Sequence, residues 1–164
     1  MHKHIAVKIR QIQSADYEDL ACFFERNNVP AITEYFHPFP LNSQTAREIA
    51  CTTHLDRYYI ADWNGQIAGF GMLRGWDEGY QIPSLGLFVA KKQQGIGLGK
   101  QIVEFCLREA KKLGCRSVRL SVYESNVSAV SLYRSLGFTE KSRVQTRKEG
   151  VSDVKIIMVK LLKQ

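Results

Sequence analysis

Residues 85–103 read LGLFVAKKQQGIGLGKQIV, an apolar run followed by a glycine-rich turn and the start of an amphipathic pattern. This order predicts a strand, a loop and a helix, with Gly95, Gly97 and Gly99 in the loop. Glycine lets the backbone approach an anion closely, and the first N–H groups of a helix have no partner within the helix. The segment therefore predicts a cradle for a phosphate group.

Two common phosphate-binding motifs do not fit the spacing of these glycines. A P-loop needs a glycine and a hydroxyl residue at the positions where the chain has Gln94 and Gln101. A dinucleotide fingerprint needs its third glycine where the chain has Lys100 or Ile102, although Glu124, near the end of the next predicted strand, keeps that interpretation open. A turn that only permits close packing of strand and helix is a further alternative.

The rest of the sequence predicts an α/β (α+β) arrangement around this loop. The β-branched run after the helix implies a parallel strand pair with a right-handed crossover, and Asn64-Gly65 predicts a tight hairpin. Asn126 is expected to cap a helix, and the apolar residues of the last hairpin predict that both of its faces are buried. The predicted elements are strand 5–12, helix 14–26, aromatic loop 35–40, helix 44–53, strands 57–63 and 66–73, strand 80–90, helix 98–113, strand 117–123, helix 126–136, and strands 138–147 and 152–162.

Length and composition predict one globular domain covering residues 1–164. Hydrophobic residues make up 45% and charged residues 24% of the chain, which excludes disorder, and no apolar run approaches the roughly 18 residues of a membrane span. Residues 1–5 lack the apolar stretch of a secretory signal, so a cytoplasmic location with reduced cysteines is expected. The cysteines and histidines lack zinc-site spacing, so no metal site is predicted.

The net charge favours an anionic partner. Lysine and arginine number 23 against 16 acidic residues, a net charge of +7. These cations are spread along the chain with no dense block, which argues against a nucleic-acid-binding module and leaves that function as an alternative based on charge alone.

Two motifs together resemble those of the GNAT superfamily of N-acyltransferases. The loop Gln94-Gly-Ile-Gly-Leu-Gly99 is similar to that superfamily's acyl-CoA pyrophosphate motif, Gln/Arg-x-x-Gly-x-Gly/Ala. Further on, Asn126-x-x-Ala-x-x-Leu-Tyr133-x-x-Leu-Gly-Phe138 is similar to the second signature, which lies beside the thioester. The order of the predicted elements also matches the family, so the resemblance covers most of the chain and leaves out only residues near 27–56.

The resemblance implies both a fold and an activity. The fold is a mixed twisted sheet of about six to seven strands with about four helices and splayed parallel strands in its middle. The activity is transfer of an acetyl group from acetyl-CoA to a primary amine, by direct attack through a tetrahedral intermediate and without a metal. The residues that it assigns to coenzyme A are Leu87, Phe88, Val89, Gln94, Gly95, Ile96, Gly97, Gly99, Lys100, Asn126 and Tyr133.

Tyr133 lies where family members carry a tyrosine that hydrogen-bonds the thioester sulfur. The resemblance therefore assigns it a catalytic role, as donor to the leaving thiolate, whereas its position on an apolar helical stripe is also typical of a core aromatic residue. The acceptor amine must lose a proton, because an alkyl ammonium of pKa about 10.4 is free base in only roughly one molecule in 2,500 at pH 7. Glu78 is the first candidate for the base, and the alternatives are Asp77, Glu124, His37 or a chain of waters.

The acceptor pocket is expected from the region that the family pattern fixes least. Tyr35, Phe36 and His37, together with Trp76, would form an apolar wall with a polar tip, or would simply cover the edge of the sheet. The acceptor would be a small-molecule or peptide amine, and a non-catalytic acyl-CoA sensor of the same fold is an alternative function. The free edge of the last hairpin leaves a homodimer open.

Overall fold

The computed structural model describes residues 6–163 and shows a seven-stranded mixed sheet with helices packed on both faces. The spatial order of the strands is β1-β2-β3-β4-β5-β7-β6. The strands are β1 (Val7–Gln11), β2 (Arg57–Trp63), β3 (Gln66–Arg74), β4 (Ser84–Val89), β5 (Ser117–Tyr123), β6 (Thr139–Lys148) and β7 (Val151–Leu161). The helices are α1 (Tyr17–Asn27), α2 (Pro30–Thr33), α3 (Ser43–Cys51), α4 (Leu98–Lys112) and α5 (Val127–Ser135).

The predicted fold is confirmed, including the splayed strands in its centre. All neighbouring strands pair antiparallel except β4 and β5, which are parallel and share a single register pair, Ser84 with Arg119. The short helix α2 was not predicted, and Pro30 at its first position supplies the fixed φ that favours a helix start. The predicted first strand reached Ile5, which lies outside the described residues.

Two hairpins rest on two-residue turns in which both residues have positive φ. The turn between β2 and β3 is Asn64-Gly65, with φ of 53° and 80°, as predicted. The turn between β6 and β7 is Glu149-Gly150, with φ of 50° and 79°, which is shorter than the four-residue connection expected from the sequence. Each strand of the last hairpin therefore reaches one residue further toward the turn than predicted.

Two apolar clusters lie on opposite faces of the sheet. Helices α4 and α5 cover one face, where Ile102, Cys106 and Tyr133 pack with β5 and β7. Helices α1 to α3 cover the other face only over its first half, where Phe24, Phe70 and other rings pack together. The helical cover on this second face therefore ends near β4.

The prediction that both faces of the last hairpin are buried is wrong. Ile156 and Met158 are buried beneath the α4 and α5 side, but Ile157 and Val159 line an open pocket and Leu161 is 77% exposed. Strand β6, at the edge of the sheet, is exposed at nearly every position. Apolar residues occur on both faces of this hairpin, but helices cover only one of those faces.

The close approach of α4 to β3 requires glycine at position 69. A Cβ atom added there would lie 2.7 Å from Ile102 Cδ1. Gly69→Ala is therefore expected to lower the free energy of unfolding by about 1 to 2 kcal/mol, measured by urea denaturation. Valine lacks that terminal methyl group. In an Ile102→Val background, the destabilisation caused by Gly69→Ala should therefore be smaller by at least about 0.5 kcal/mol. Equal costs in the two backgrounds would contradict this packing account.

Among the described residues, no helix combines the length and the apolar character that crossing a bilayer requires.

Candidate active site

The glycine loop is held in an open shape at the end of β4. A short 3-10 turn at Lys91–Gln93 follows the strand, and Gln94 Nε2 donates a hydrogen bond of 3.1 Å to the Val89 carbonyl. Gly95 and Gly97 have φ of 82° and 86°, a region that side chains disfavour. The side chain of Gln94 thus fastens the loop to the strand, while the glycines turn the backbone.

The amide groups of this loop are unpaired within the described part of the chain. None of the N–H groups of residues 95–100 donates a hydrogen bond to another residue between positions 6 and 163. Gly97 is the N-cap of the 15-residue helix α4, whose first turn carries no acidic residue. Free donors at the positive end of a helix dipole form a site for a multiply charged anion.

The strand before the loop has an unpaired edge. After the Ser84–Arg119 pair, β4 and β5 diverge, so residues 85–89 make no ladder with β5. Their backbone N–H and C=O groups on that side face a gap in the sheet. A peptide-like ligand can bond to such an edge as a partner strand would.

A cleft of about 540 Å³ joins the loop, the edge of β4 and helix α5. Ten of the eleven residues predicted to contact coenzyme A line this cleft, and the exception, Ile96, has a side chain exposed on the outside of the loop. Asn126 is at the N-cap position of α5, but its side chain does not cap the helix as predicted and remains available to the cleft. The lining residues from the predicted set are Leu87, Phe88, Val89, Gln94, Gly95, Gly97, Gly99, Lys100, Asn126 and Tyr133.

Tyr133 reaches this cleft from within the core. It is 8% exposed, and its ring packs edge-to-face on Phe138 with centroids 5.8 Å apart. Burial, and to a smaller extent the neighbouring Cys106, raise the pKa of the phenol. Its hydroxyl has no hydrogen-bond partner among the described residues, so the protonated oxygen is free to donate to a ligand.

A second pocket, of about 520 Å³, lies beside the cleft on the sheet face that α1 to α3 leave open. Of the residues predicted for the acceptor wall, Tyr35, Phe36 and His37 line it, and Glu78 does so as well. Trp76 does not, because it lies in a small pocket beside Leu55 and Leu113. The two larger cavities share a wall at the gap between β4 and β5, formed by Tyr35, Phe36, Leu85, Gly86, Ser121 and Tyr123.

Hydrogen bonds position the aromatic segment over the gap. The hydroxyl of Tyr35 lies 2.9 Å from Ser125 Oγ, which donates to Asp153. Nε2 of His37 lies 3.0 Å from the Tyr123 hydroxyl. These contacts join the segment after α2 to the ends of β5 and β7.

The four candidate bases differ in their hydrogen-bond partners and in whether they face the second pocket. Asp77 accepts from the Leu55 amide at 2.8 Å, which lowers its pKa, and it lies outside the pocket. Glu124 pairs with Arg143 and lines neither cavity. Burial, and next the charge of Lys148, lower the pKa of His37 below its usual 6.5. Glu78 and His37 are thus the two candidates that face the second pocket.

Several charged lining residues were not predicted from the sequence. Arg74, Arg119 and Lys155 line the second pocket. The alternation of β5 contains a signal for one of them, because Val118 and Leu120 are buried and Arg119 between them must face the other side.

Within residues 6–163, no group of three or more His, Cys, Asp or Glu side chains is arranged to hold a metal ion.

Comparisons with known proteins agree with this geometry. The family model of the acetyltransferase (GNAT) family matches residues 10–138. The chain is 32% identical over 85 residues to the spermine/spermidine N(1)-acetyltransferase of Bacillus subtilis, a match of 49% of this chain and only 55% of that protein. It is 30% identical over 119 residues to the ribosomal protein bS18-alanine N-acetyltransferase of Escherichia coli, covering 71% of this chain and 78% of the relative.

A solved structure extends the likeness over almost the whole fold. The Salmonella typhimurium protein yncA, solved with its cofactor acetyl-CoA, superposes with a TM-score of 0.77 at 20% identity and covers 97% of this chain and 95% of its own. The family match over most of the sequence, together with this fold, shows that the chain belongs to the GNAT family of acetyltransferases.

Proposed function

We propose that this protein transfers an acetyl group from acetyl-CoA to a primary amine by direct attack, through a tetrahedral intermediate. The observation that carries the proposal is the row of unpaired amides at residues 95–100 beside the free edge of β4. The cleft that they form opens at the β4–β5 gap onto a second pocket able to hold an acceptor. The proposed acetyltransferase domain comprises residues 1–164.

The residues of the cleft fit coenzyme A part by part. The loop amides and Lys100 suit its phosphate groups, and the unpaired backbone of residues 85–89 suits its peptide-like arm. Bound there, acetyl-CoA supplies the activated acetyl group. The relatives support acetyl transfer to amines, since one is named for spermine and spermidine and another for an alanine of a ribosomal protein.

Tyr133 would act on the departing sulfur as a hydrogen-bond donor. A thiol of pKa about 8.5 and a free phenol of about 10 already make full proton transfer uphill by roughly 2 kcal/mol. Because burial raises the pKa of Tyr133 further, a shared proton stabilises the developing thiolate better than a transferred one.

Glu78 would accept the proton of the incoming ammonium group, directly or through water. Glu78→Gln is expected to lower kcat/KM for the amine about tenfold to hundredfold at pH 7. Without the base, only the small fraction of amine that is already deprotonated in solution can react. Its rate should rise more steeply with pH than the wild-type rate, and the deficit should shrink toward pH 9. Steady-state kinetics from pH 6 to 9 measure both effects.

Two further variants make this result specific. Glu48→Gln removes an exposed carboxylate of α3 outside both large cavities and should leave the rate unchanged. If Glu78→Gln keeps the wild-type profile and His37→Gln does not, the base is His37.

The proposed function is tested by incubating the protein with acetyl-CoA and a panel of amines while free thiol is measured. Thiol release that depends on an amine, with the acetylated amine identified by mass spectrometry, is the expected result. A thermal shift with coenzyme A, compared with ATP and NAD, tests the cleft separately. Binding of coenzyme A without turnover of any amine would favour the sensor function, and absence of binding would reject both.

A further inference from the structure

The acceptor pocket carries more positive than negative side chains. Arg74, Arg119 and Lys155 line it, and Glu78 is the one carboxylate among its described lining residues. A ligand with several positive charges would be repelled by these three side chains. The lining therefore favours an acceptor with a negative group.

Two of the three cations have no carboxylate partner among the described residues, and the Nζ of one of them, Lys155, lies over the Tyr123 ring, 5.4 Å from its centroid. Neither Arg119 nor Lys155 forms an ion pair with a carboxylate between residues 6 and 163. Arg74 is partly neutralised, because its Nε lies 4.0 Å from Oδ2 of the buried Asp56.

The nearby acidic side chains already have partners. Asp56 accepts from the Gly75 and Asp77 amides at 2.9 and 3.2 Å. Asp153 accepts from Ser125 and from the Val154 amide. Burial, and next the positive charges of Lys148 and Lys155, lower the pKa of His37, which also lines the pocket.

The position of Arg119 separates the anionic end of a ligand from its reacting end. Arg119, Ser121 and Tyr123 point to the same face of β5, and Lys155 lies directly opposite Tyr123 on β7. Tyr123 lines both cavities, whereas Arg119 lines the acceptor pocket and not the cofactor cleft. Two residues along a strand correspond to about 7 Å, so Arg119 lies about that far along β5 from Ser121, the nearest residue of β5 that lines both cavities.

We propose that the acceptor is a small amine that also carries a carboxylate or a phosphate, with Arg119 binding that anionic group and Lys155 adding to the attraction. The guanidinium group suits both anions because it offers two parallel N–H donors. This inference rests on the proposed acetyltransferase function and narrows its substrate class. It also distinguishes this chain from the relative named for spermine and spermidine, which are polycations.

Matched pairs of amines test the inference by thiol release. O-phosphoethanolamine is compared with ethanolamine, and lysine with cadaverine, because each pair differs by one anionic group; spermidine is added as a polycation. The anionic member of at least one pair should have a kcat/KM about tenfold higher or more, the effect of one charge-assisted hydrogen bond. Preference within the first pair identifies a phosphate, and preference within the second a carboxylate.

Arg119→Gln should remove that preference. We expect the KM of the preferred anionic amine to rise about tenfold, while kcat and the KM of acetyl-CoA stay within twofold. Lys111→Gln, on the exposed side of α4, lowers the net charge by the same amount and should change neither constant.

The outcomes distinguish failure of the inference about the acceptor from failure of the proposed function. If ethanolamine, cadaverine or spermidine is acetylated as well as the anionic amines, the inference about the acceptor is overturned and the acetyltransferase function stands. A preference that survives in Arg119→Gln also overturns it, because the anion would then bind elsewhere. Absence of thiol release with every amine rejects the proposed function itself.

Discussion

Gly97→Asp is expected to weaken coenzyme A binding about 100-fold, a loss of roughly 2.7 kcal/mol. Gly97 has a φ of 86° and nothing within 4 Å of an added Cβ, so the new carboxylate would enter open space at the N-terminus of α4. Aspartate tolerates positive φ better than most residues, so the fold should survive. The loss arises because a negative charge would stand where the phosphate groups are proposed to bind. Isothermal titration with coenzyme A measures it.

Gly150→Asp is the matched control for this substitution. Gly150 has a φ of 79° and equally open surroundings, but it lies in the turn between β6 and β7. It should cost similar stability and leave the affinity for coenzyme A unchanged. Wild-type affinity in Gly97→Asp would mean that the phosphate groups do not bind at this loop.

Tyr133→Phe is expected to lower kcat about 100-fold to 1,000-fold while the affinity for coenzyme A changes less than twofold. The ring keeps its packing against Phe138, and only the unpaired hydroxyl is removed. Because burial raises the pKa of this phenol, it stays protonated across the neutral and mildly alkaline range. The wild-type rate should therefore show no decline up to pH 9 from ionisation of Tyr133.

Tyr59→Phe provides the control for loss of a buried hydroxyl. Tyr59 is 2% exposed, packs on Phe105 and lines neither large cavity. Its substitution should leave kcat unchanged. If Tyr133→Phe has the same rate as Tyr59→Phe, Tyr133 serves only as a core aromatic residue.

The part of the site that local sequence determines could be predicted. Positive φ in a tight loop demands glycine, and an unpaired helix start follows from the helix itself, so the segment from Gln94 to Lys100 indicates an anion site without tertiary information. Asn126 shows the limit of this reasoning. Its position at the start of α5 is correct, but whether its side chain caps the helix depends on neighbours that the sequence pattern does not reveal.

The second pocket could be predicted only in part, because its walls come from distant segments. Arg74 and Lys155 are 81 positions apart in the sequence and meet only through the sheet order. Trp76 is predicted to line this pocket but lies outside it. Two residues beyond Arg74 the chain turns, and the indole packs against the far end of α4. The uncovered face of β7 is likewise predicted to be core, because apolar alternation does not show which face of a strand a helix covers.

The break in the ladder between β4 and β5 makes the stability of the folded chain depend on its ligand. In a continuous sheet, the next strand would supply hydrogen-bond partners for the main chain of residues 85–89. A ligand bound there, as proposed for acetyl-CoA, would supply those partners instead. By mass action, each tenfold excess of such a ligand over its Kd adds about 1.4 kcal/mol to the folded state. The ligand-bound protein would therefore resist unfolding and proteolysis better than the free protein.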